Sequence, residues 1–400
     1  MKRKVVLSYS GGLDTSVMVR WLKDNYNSSV IACIVDVGQI EDFNEIKERA
    51  KKAGAEKVYL IDAKNEFVTD FIYPAIKANS IYEKKYLLGT ALARPLIAKK
   101  VIEIAKKEKA WAVSHGATGK GNDQVRFDIS FRTLAPEIKI IAPWREWDLK
   151  SREEEIEYAK KHKIPIKITP EKPYSTDENL WHISYEGGIL EDPNREPPED
   201  IFQLTVSPEK APDKPTYLEI YFEKGVPQKI NGKKYQPVEL IKTLNKIGGK
   251  NGIGRTDMVE NRLVGIKSRG VYECPAGTIL CFAHRELEYL TLDRETFHYK
   301  EIVEQKYSEL VYYGLWFSPL KNALDKFIDE TQKFVTGSIK LKLYKGTISV
   351  SGRKSPYSLY WQKLATFSKE DIYNQKHGEG FTKLFGLPLE VASLLRKKSV

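Results

Sequence analysis

The chain of 400 residues has only three cysteines, at positions 33, 274 and 281. They show neither the close pairing of a zinc site nor the density of a disulfide scaffold, and a reducing cytoplasm is the expected compartment. Long apolar runs are missing as well. With 41% hydrophobic and 30% charged residues, no stretch approaches the roughly 20 apolar residues of a membrane span. Met1 to Lys4 is basic and Val5 to Leu7 apolar, which sketches a leader, but the apolar stretch stops at Ser8; export is not expected. Repeats and low-complexity tracts are absent. A formal charge of +11 raises the question of nucleic acid. Lys and Glu are mixed, however, in runs such as "EIKERAKKAGAEK", which reads as solvated surface. No nucleic-acid and no membrane partner is expected.

What is present is an alternation. Apolar runs at Lys4 to Tyr9, Val30 to Val35 and Lys57 to Ile61 are separated by helical patterns at Asp14 to Asn25 and Asp42 to Ala53. Continuous apolar strands between amphipathic helices predict an α/β domain whose doubly wound parallel sheet is covered on both faces. A helix from about Ala91 to Lys107 follows, then strands at Ala110 to Ser114 and Ile138 to Ala142, and a helix opened by the capping box Ser151 to Glu154. That helix closes a nucleotide-binding domain at 1–165. Clustered prolines then mark a change of texture, and alternation at Tyr217 to Phe222 leads to the hairpin signal Asn231-Gly232. A mixed α+β domain is expected over 166–370. The segment 371–400 contains "GFTKLFGLPLEVASLLRKKSV", an amphipathic helix whose apolar face needs a cover, and another subunit is the expected one.

The most informative absence is a lysine. "YSGGLDTS" carries a strand into a glycine pair and a helix, a ready anion site because backbone amides can crowd around phosphate oxygens. A Walker loop adds a lysine to grip a transferred γ-phosphoryl group. Here the loop has only amides and the hydroxyls of Ser10, Thr15 and Ser16, which suits a whole pyrophosphate held as a leaving group. Asp14 belongs beside a phosphate-bound Mg²⁺, since a bare carboxylate would repel phosphate. "SGGLDTS" resembles the pyrophosphate loop of the N-type ATP pyrophosphatases.

A second loop over 114–126, within "SHGATGKGNDQVRF", follows the fourth strand. In a doubly wound sheet the first and fourth strands are neighbours at the switch point, so both loops face one crevice. Gly116, Gly119 and Gly121 permit close approach, while Thr118, Asn122, Asp123 and Arg126 suit a zwitterion, Asp123 for an ammonium and Arg126 for a carboxylate. His115 reads as structural.

Along nearly its full length the chain resembles the argininosuccinate synthases, through "SGGLDTS", "YLLGTALARP", "HGATGKGNDQVRF", "APWREW", "EKPYSTDENLWHISYEGGILEDP", "GIGRTDMVENRLVGIKSRGVYE" and "ELVYYGLWFSP". The resemblance implies a PP-loop, adenine nucleotide alpha hydrolase-like domain, a synthetase domain and a C-terminal oligomerisation helix in a homotetramer. It also implies a ligase that condenses citrulline with aspartate at the expense of ATP, with Mg²⁺, through a citrullyl adenylate. Carried over by position, ATP is held by Ser8, Tyr9, Ser10, Gly11, Gly12, Leu13, Asp14, Thr15, Ser16, Val35 and Gly116. Aspartate is held by Thr118, Asn122 and Asp123. Citrulline is held by Tyr86, Ala91, Asn122, Arg126, Ser175, Ser184, Glu260 and Tyr272, with Asp14, Asp123 and Arg126 nearest the chemistry. Ala91 stands where the family usually has serine, which leaves its backbone or the Thr90 hydroxyl to compensate; Ser8 and Cys274 replace the usual alanine and threonine. Two competing readings remain open on the residues. A tRNA-modifying relative of the same loop would need a cysteine pair or a tRNA-binding appendage, and a nucleotide-binding regulator would not need "GNDQVR".

Overall fold

The computed structural model describes residues 2–149, 151–165 and 174–396. It divides into two compact units, residues 1–357 and 358–400. The first opens with five strands, β1 (Arg3–Ser8), β2 (Ser28–Asp36), β3 (Lys57–Asp62), β4 (Ala112–Ser114) and β5 (Lys139–Ile141), in the order β3-β2-β1-β4-β5. All pairings are parallel. Alternation sorts the side chains: Val5, Leu7, Val30, Ala32 and Ile34 join a core with the helices Leu13–Tyr26, Phe43–Lys52 and Arg152–Lys161. Val6, Ile31, Cys33 and Val35 meet the helices Gly89–Glu108 and Asn122–Leu134 on the other face. Every residue of interior strand β2 is buried, whereas edge strand β3 is not. The expected doubly wound sheet is therefore present. The helical stretch after β3 differs from a plain α-helix: its middle, Phe67–Ile72, is π-helical.

Two antiparallel sheets follow. One runs β10-β9-β8-β13-β14, built from β8 (Thr216–Glu223), β9 (Val226–Ile230), β10 (Lys233–Lys234), β13 (Gly337–Tyr344) and β14 (Thr347–Lys354). The expected turn at Asn231-Gly232 joins β9 to β10, with φ of 49° and 79°. Lys224-Gly225 and Lys345-Gly346 make two more turns of this kind, which favours Gly second because both central residues need positive φ. The other sheet runs β11-β12-β7-β6, from β6 (Ser175–Glu178), β7 (Ile183–Glu186), β11 (Arg255–Asn261) and β12 (Lys267–Glu273).

The β6–β7 connection ties this second sheet to the first. Leu180 N donates to Val37 O at 3.0 Å, Trp181 Nε1 to Leu87 O at 2.9 Å and Asn179 Nδ2 to Gly89 O at 3.2 Å. The expected division at 165/166 adjoins residues 166–173, which lie outside the described residues. The second unit contains the helix His377–Arg396, which leaves Phe381, Leu384, Phe385, Leu389 and Leu395 exposed.

Candidate active site

The strand-to-helix corner after β1 is built to leave amides free. Gly12 precedes the helix Leu13–Tyr26 in an extended conformation and supplies no side-chain cap, so the first-turn amides have no partner within the helix. Gly11 has φ +82°, and a Cβ there would lie 2.9 Å from Ile46 Cγ2, so only glycine fits. Arg49 donates to the Gly11 carbonyl. The Tyr9 hydroxyl donates to Ser16 Oγ at 2.8 Å, and Ser16 Oγ to the Gly12 carbonyl at 2.8 Å. Carbonyls and hydroxyls are thus tied back, while Ser10, Gly12, Asp14 and Thr15 line a cavity of about 650 Å³.

The second loop touches the first. β4 pairs with β1 with Leu7 opposite Ser114, and a Cβ on Gly116 would lie 2.8 Å from Thr15 Cγ2. His115 is fully buried. Its Nδ1 accepts from Ala117 N at 3.2 Å and its Nε2 faces Asp128 Oδ1 at 2.9 Å, a network that assigns the proton to Nε2. Residues 114–126 are not all loop: a helix begins at Asn122, again after an uncapped glycine, Gly121. Asn122, Asp123 and Arg126 therefore stand on its opening turns, and Arg126 Nη1 donates to Asp123 Oδ1 at 2.8 Å.

One face of the second sheet supplies the opposite wall. In register, Tyr272 lies opposite Ser184 and Ser184 opposite Asp177, with Ser175 opposite Glu186 in the next row. Thr256, paired with Tyr272, places Glu260 on the same face four residues on. Tyr185 and Val271 alternate to the other side, into a small core with Ile183, Leu190 and Ile201. Tyr86 stacks on Tyr272 with ring centroids 4.6 Å apart.

Of the residues expected from the sequence, Ser8, Tyr9, Ser10, Gly12, Asp14, Thr15, Val35, Tyr86, Gly116, Thr118, Asn122, Asp123, Arg126, Ser175, Ser184, Glu260 and Tyr272 line this single cavity. Gly11, Leu13, Ser16 and Ala91 are not among the lining residues. Ala91 is wholly buried, and the Thr90 hydroxyl is engaged, donating to Asp177 Oδ2 at 2.8 Å.

Two family models match the chain: the arginosuccinate synthase N-terminal HUP domain over residues 4–165 and the arginosuccinate synthase C-terminal domain over residues 174–392. The chain belongs to the argininosuccinate synthase family. It is 65% identical over 392 residues to the argininosuccinate synthase of Caldanaerobacter subterraneus, covering 98% of this chain and 96% of that one. Identity is 62% over 397 residues to that of Carboxydothermus hydrogenoformans, covering 99% of each chain.

The charges at the site are strongly coupled. Arg94, which the sequence reading passed over, donates from Nε to Asp123 Oδ2 at 2.7 Å and from Nη2 to Asp177 Oδ2 at 2.8 Å. It thereby bridges the two walls. Burial alone would raise the Asp123 carboxyl, but Arg94 and then Arg126 outweigh it and hold the group below its ordinary value. Burial raises Glu260, against the phenols of Tyr312 and Tyr272 and the charge of Arg126. Burial also depresses His182 to about 4, so it is neutral. The Cys33 thiol, on β2 at the cavity, is pushed up to about 12 by burial and is no nucleophile at neutral pH.

The signal for Arg94 was available. A guanidinium inside "LLGTALARPLIA" sits in a largely apolar stretch and must find carboxylates if it is buried. Asp177, in "YSTDENLW", offers a matching clue.

Proposed function

We propose that the chain condenses L-citrulline with L-aspartate, consuming ATP and releasing AMP and pyrophosphate, as an ATP-dependent ligase of C–N bonds. The observation that carries this reading is the contact between Gly116 and Thr15, which puts the lysine-free phosphate loop and the Asp123 helix start at one cavity. The ureido oxygen of citrulline attacks the α-phosphorus, pyrophosphate leaves, and the aspartate amine then displaces AMP from the adenylate.

The first-turn amides of the helix after Gly12, with Ser10 and Thr15, receive the leaving pyrophosphate; the Val35 backbone and Gly116 meet the rest of the nucleotide. Asp123 takes the ammonium of aspartate, beside Thr118 and Asn122. Tyr86, Asn122, Arg126, Ser175, Ser184, Glu260 and Tyr272 hold citrulline. The reaction needs little beyond orientation and charge stabilisation. Residues 1–165 carry the nucleotide side of the site, and 166–370 the synthetase side.

The donor set suits Mg²⁺. Asp14 is a hard oxygen donor at the phosphate loop, and Mg²⁺ commonly takes one or two carboxylates together with phosphate oxygens and water. The buried Glu155 carboxyl lies against Asp14, and its Oε1 finds no hydrogen-bond partner among the described residues. Burial, then the Asp14 charge, pushes that carboxyl up to about 8. When bound through Asp14, the ion neutralises charge on the pyrophosphate; all other roles fall to the residues above.

The same reading makes the protein a cytoplasmic homotetramer, supported by the absence of any described helix long and apolar enough to cross a membrane and by the exposed apolar side chains of His377–Arg396. Pyrophosphate release from ATP is measured with citrulline, aspartate, neither or both. Release that depends on citrulline, with AMP and a condensed product appearing when aspartate is added, is expected. Release indifferent to citrulline overturns the reading.

A further inference from the structure

Three of the groups assigned to citrulline, Asn122, Arg126 and Glu260, share one buried neighbour that is absent from the cavity wall: Tyr312, the last residue of the helix Arg294–Tyr312. Its side chain is completely buried. The ring is held rigidly, stacked on Tyr82 with centroids 3.7 Å apart and planes 7° apart, and the Tyr82 hydroxyl is itself fixed to Asn261 O at 2.8 Å.

From that fixed point two bonds reach the site. Asn122 Nδ2 donates to the Tyr312 hydroxyl oxygen at 2.8 Å, while Asn122 Oδ1 accepts from Leu263 N at 2.9 Å. A flipped amide would set its NH₂ against Leu263 N–H and lose that bond, which fixes the orientation, and one N–H remains for a ligand. The same hydroxyl lies beside the Glu260 carboxylate, whose charge adds to burial in pushing the phenol up, and Glu260 accepts from the Tyr272 hydroxyl at 3.1 Å. The Tyr312 carbonyl accepts from Arg126 Nε at 3.0 Å, and the guanidinium carbon lies 5.0 Å from the Tyr312 ring centroid. Two residues on, Gly314 at φ +75° lets the chain turn against Arg126, where a Cβ would lie 2.7 Å from Arg126 Cα.

We infer that Tyr312 is a positioning residue for citrulline: its hydroxyl fixes the amide of Asn122 and its carbonyl the guanidinium of Arg126, beside the Glu260 carboxylate, in the arrangement that receives the amino acid. The inference rests on the citrulline reading above. It assigns to one phenol a role on the amino-acid side of the site, whereas a general structural role would weaken ATP as much as citrulline.

Tyr312→Phe keeps the ring, the stack and the carbonyl and removes only the hydroxyl, so the amide of Asn122 loses a fixed acceptor. The KM for citrulline is expected to rise about tenfold with the KM for ATP changed less than about twofold, since the loss of one buried hydrogen bond is worth up to about that much. A ratio of citrulline to ATP effects below about fivefold overturns the inference. Should turnover in the variant be too slow to follow, a calorimetric citrulline titration in the presence of a non-hydrolysable ATP analogue gives the same comparison, with the same fivefold threshold. The wild-type protein in the same assay separates the two failures. If its pyrophosphate release ignores citrulline, the proposed function falls; if it requires citrulline and Tyr312→Phe behaves as wild type, only the role of Tyr312 falls.

Discussion

Six helices of the first unit show two contrasting kinds of start. Phe43–Lys52, Arg152–Lys161, Arg294–Tyr312 and Pro319–Thr331 are closed by Asp42, Ser151, Asp293 and Ser318, whose side chains accept from first-turn amides. Leu13–Tyr26 and Asn122–Leu134 are preceded by Gly12 and Gly121, which cap nothing, and both starts open on the same cavity. A side-chain cap stabilises a helix by roughly 1 kcal/mol. Where the chain forgoes it twice at one place, the amides are left for oxygens that arrive with a ligand.

Converting an open start into a closed one breaks the contrast most directly. Gly12 has φ −72°, and a Cβ there would meet nothing nearer than Ser10 Oγ at 3.5 Å, so Gly12→Asp is sterically tolerated. Its carboxylate competes with pyrophosphate for the same amides. Pyrophosphate release is expected to fall at least roughly hundredfold, as when oxyanion donors are removed, while thermal stability stays equal or rises slightly. A variant with near-normal turnover would show that these amides do not hold the leaving group.

At the other open start, Asp123→Ala removes the carboxylate that Arg94 and Arg126 share. Loss of one partner of a buried pair costs about 2 to 5 kcal/mol, so the KM for aspartate is expected to rise at least about tenfold, with ATP much less affected. Equal effects on both substrates would remove Asp123 from the aspartate site.

A third helix start, at Gly89, is closed by an aromatic cluster: Thr90 N donates to the Tyr86 hydroxyl at 3.1 Å, and a Cβ on Gly89 would lie 2.1 Å from the His182 ring. His182 titrates near 4 in the folded protein and near about 6.5 unfolded. The unfolded chain thus binds the proton first, so this contribution is intact above pH about 6.5 and is lost toward pH 4, at up to about 1.4 kcal/mol per pH unit. Chemical denaturation across that range is expected to show a shallower slope in His182→Gln. The smallest effect belongs to a closed start: Asp42→Ala is expected to lower stability by about 1 kcal/mol and leave kcat within about twofold, seen by thermal melting beside the steady-state assay.

The sequence made one kind of information easy to read and another hard. The parallel sheet was legible because continuous apolar runs give way to amphipathic helical periods, with Gly11 and Gly54 among the breaks between them. Tyr86, Ser175, Ser184, Glu260 and Tyr272 were legible only through resemblance, since their meeting depends on the register of β6, β7, β11 and β12, which no local spacing encodes. The helix start at Asn122 was hidden by three glycines in six residues that read as continuous loop. Arg94 and Tyr312 were missed for a shared reason: each works through other side chains, and nothing in a linear string shows that a guanidinium joins two carboxylates 54 positions apart, Asp123 and Asp177.

The pairing of β1 with β4 carries one more implication. Adjacent strands sit about 4.8 Å apart, and Leu7 facing Ser114 fixes the offset of the two loops that follow them. The gap between diphosphate and incoming amine is thus dictated by main-chain geometry laid down as the sheet assembles. Any squeezing of the reactants together must come from the antiparallel wall, the half of the crevice whose placement does not depend on that ladder.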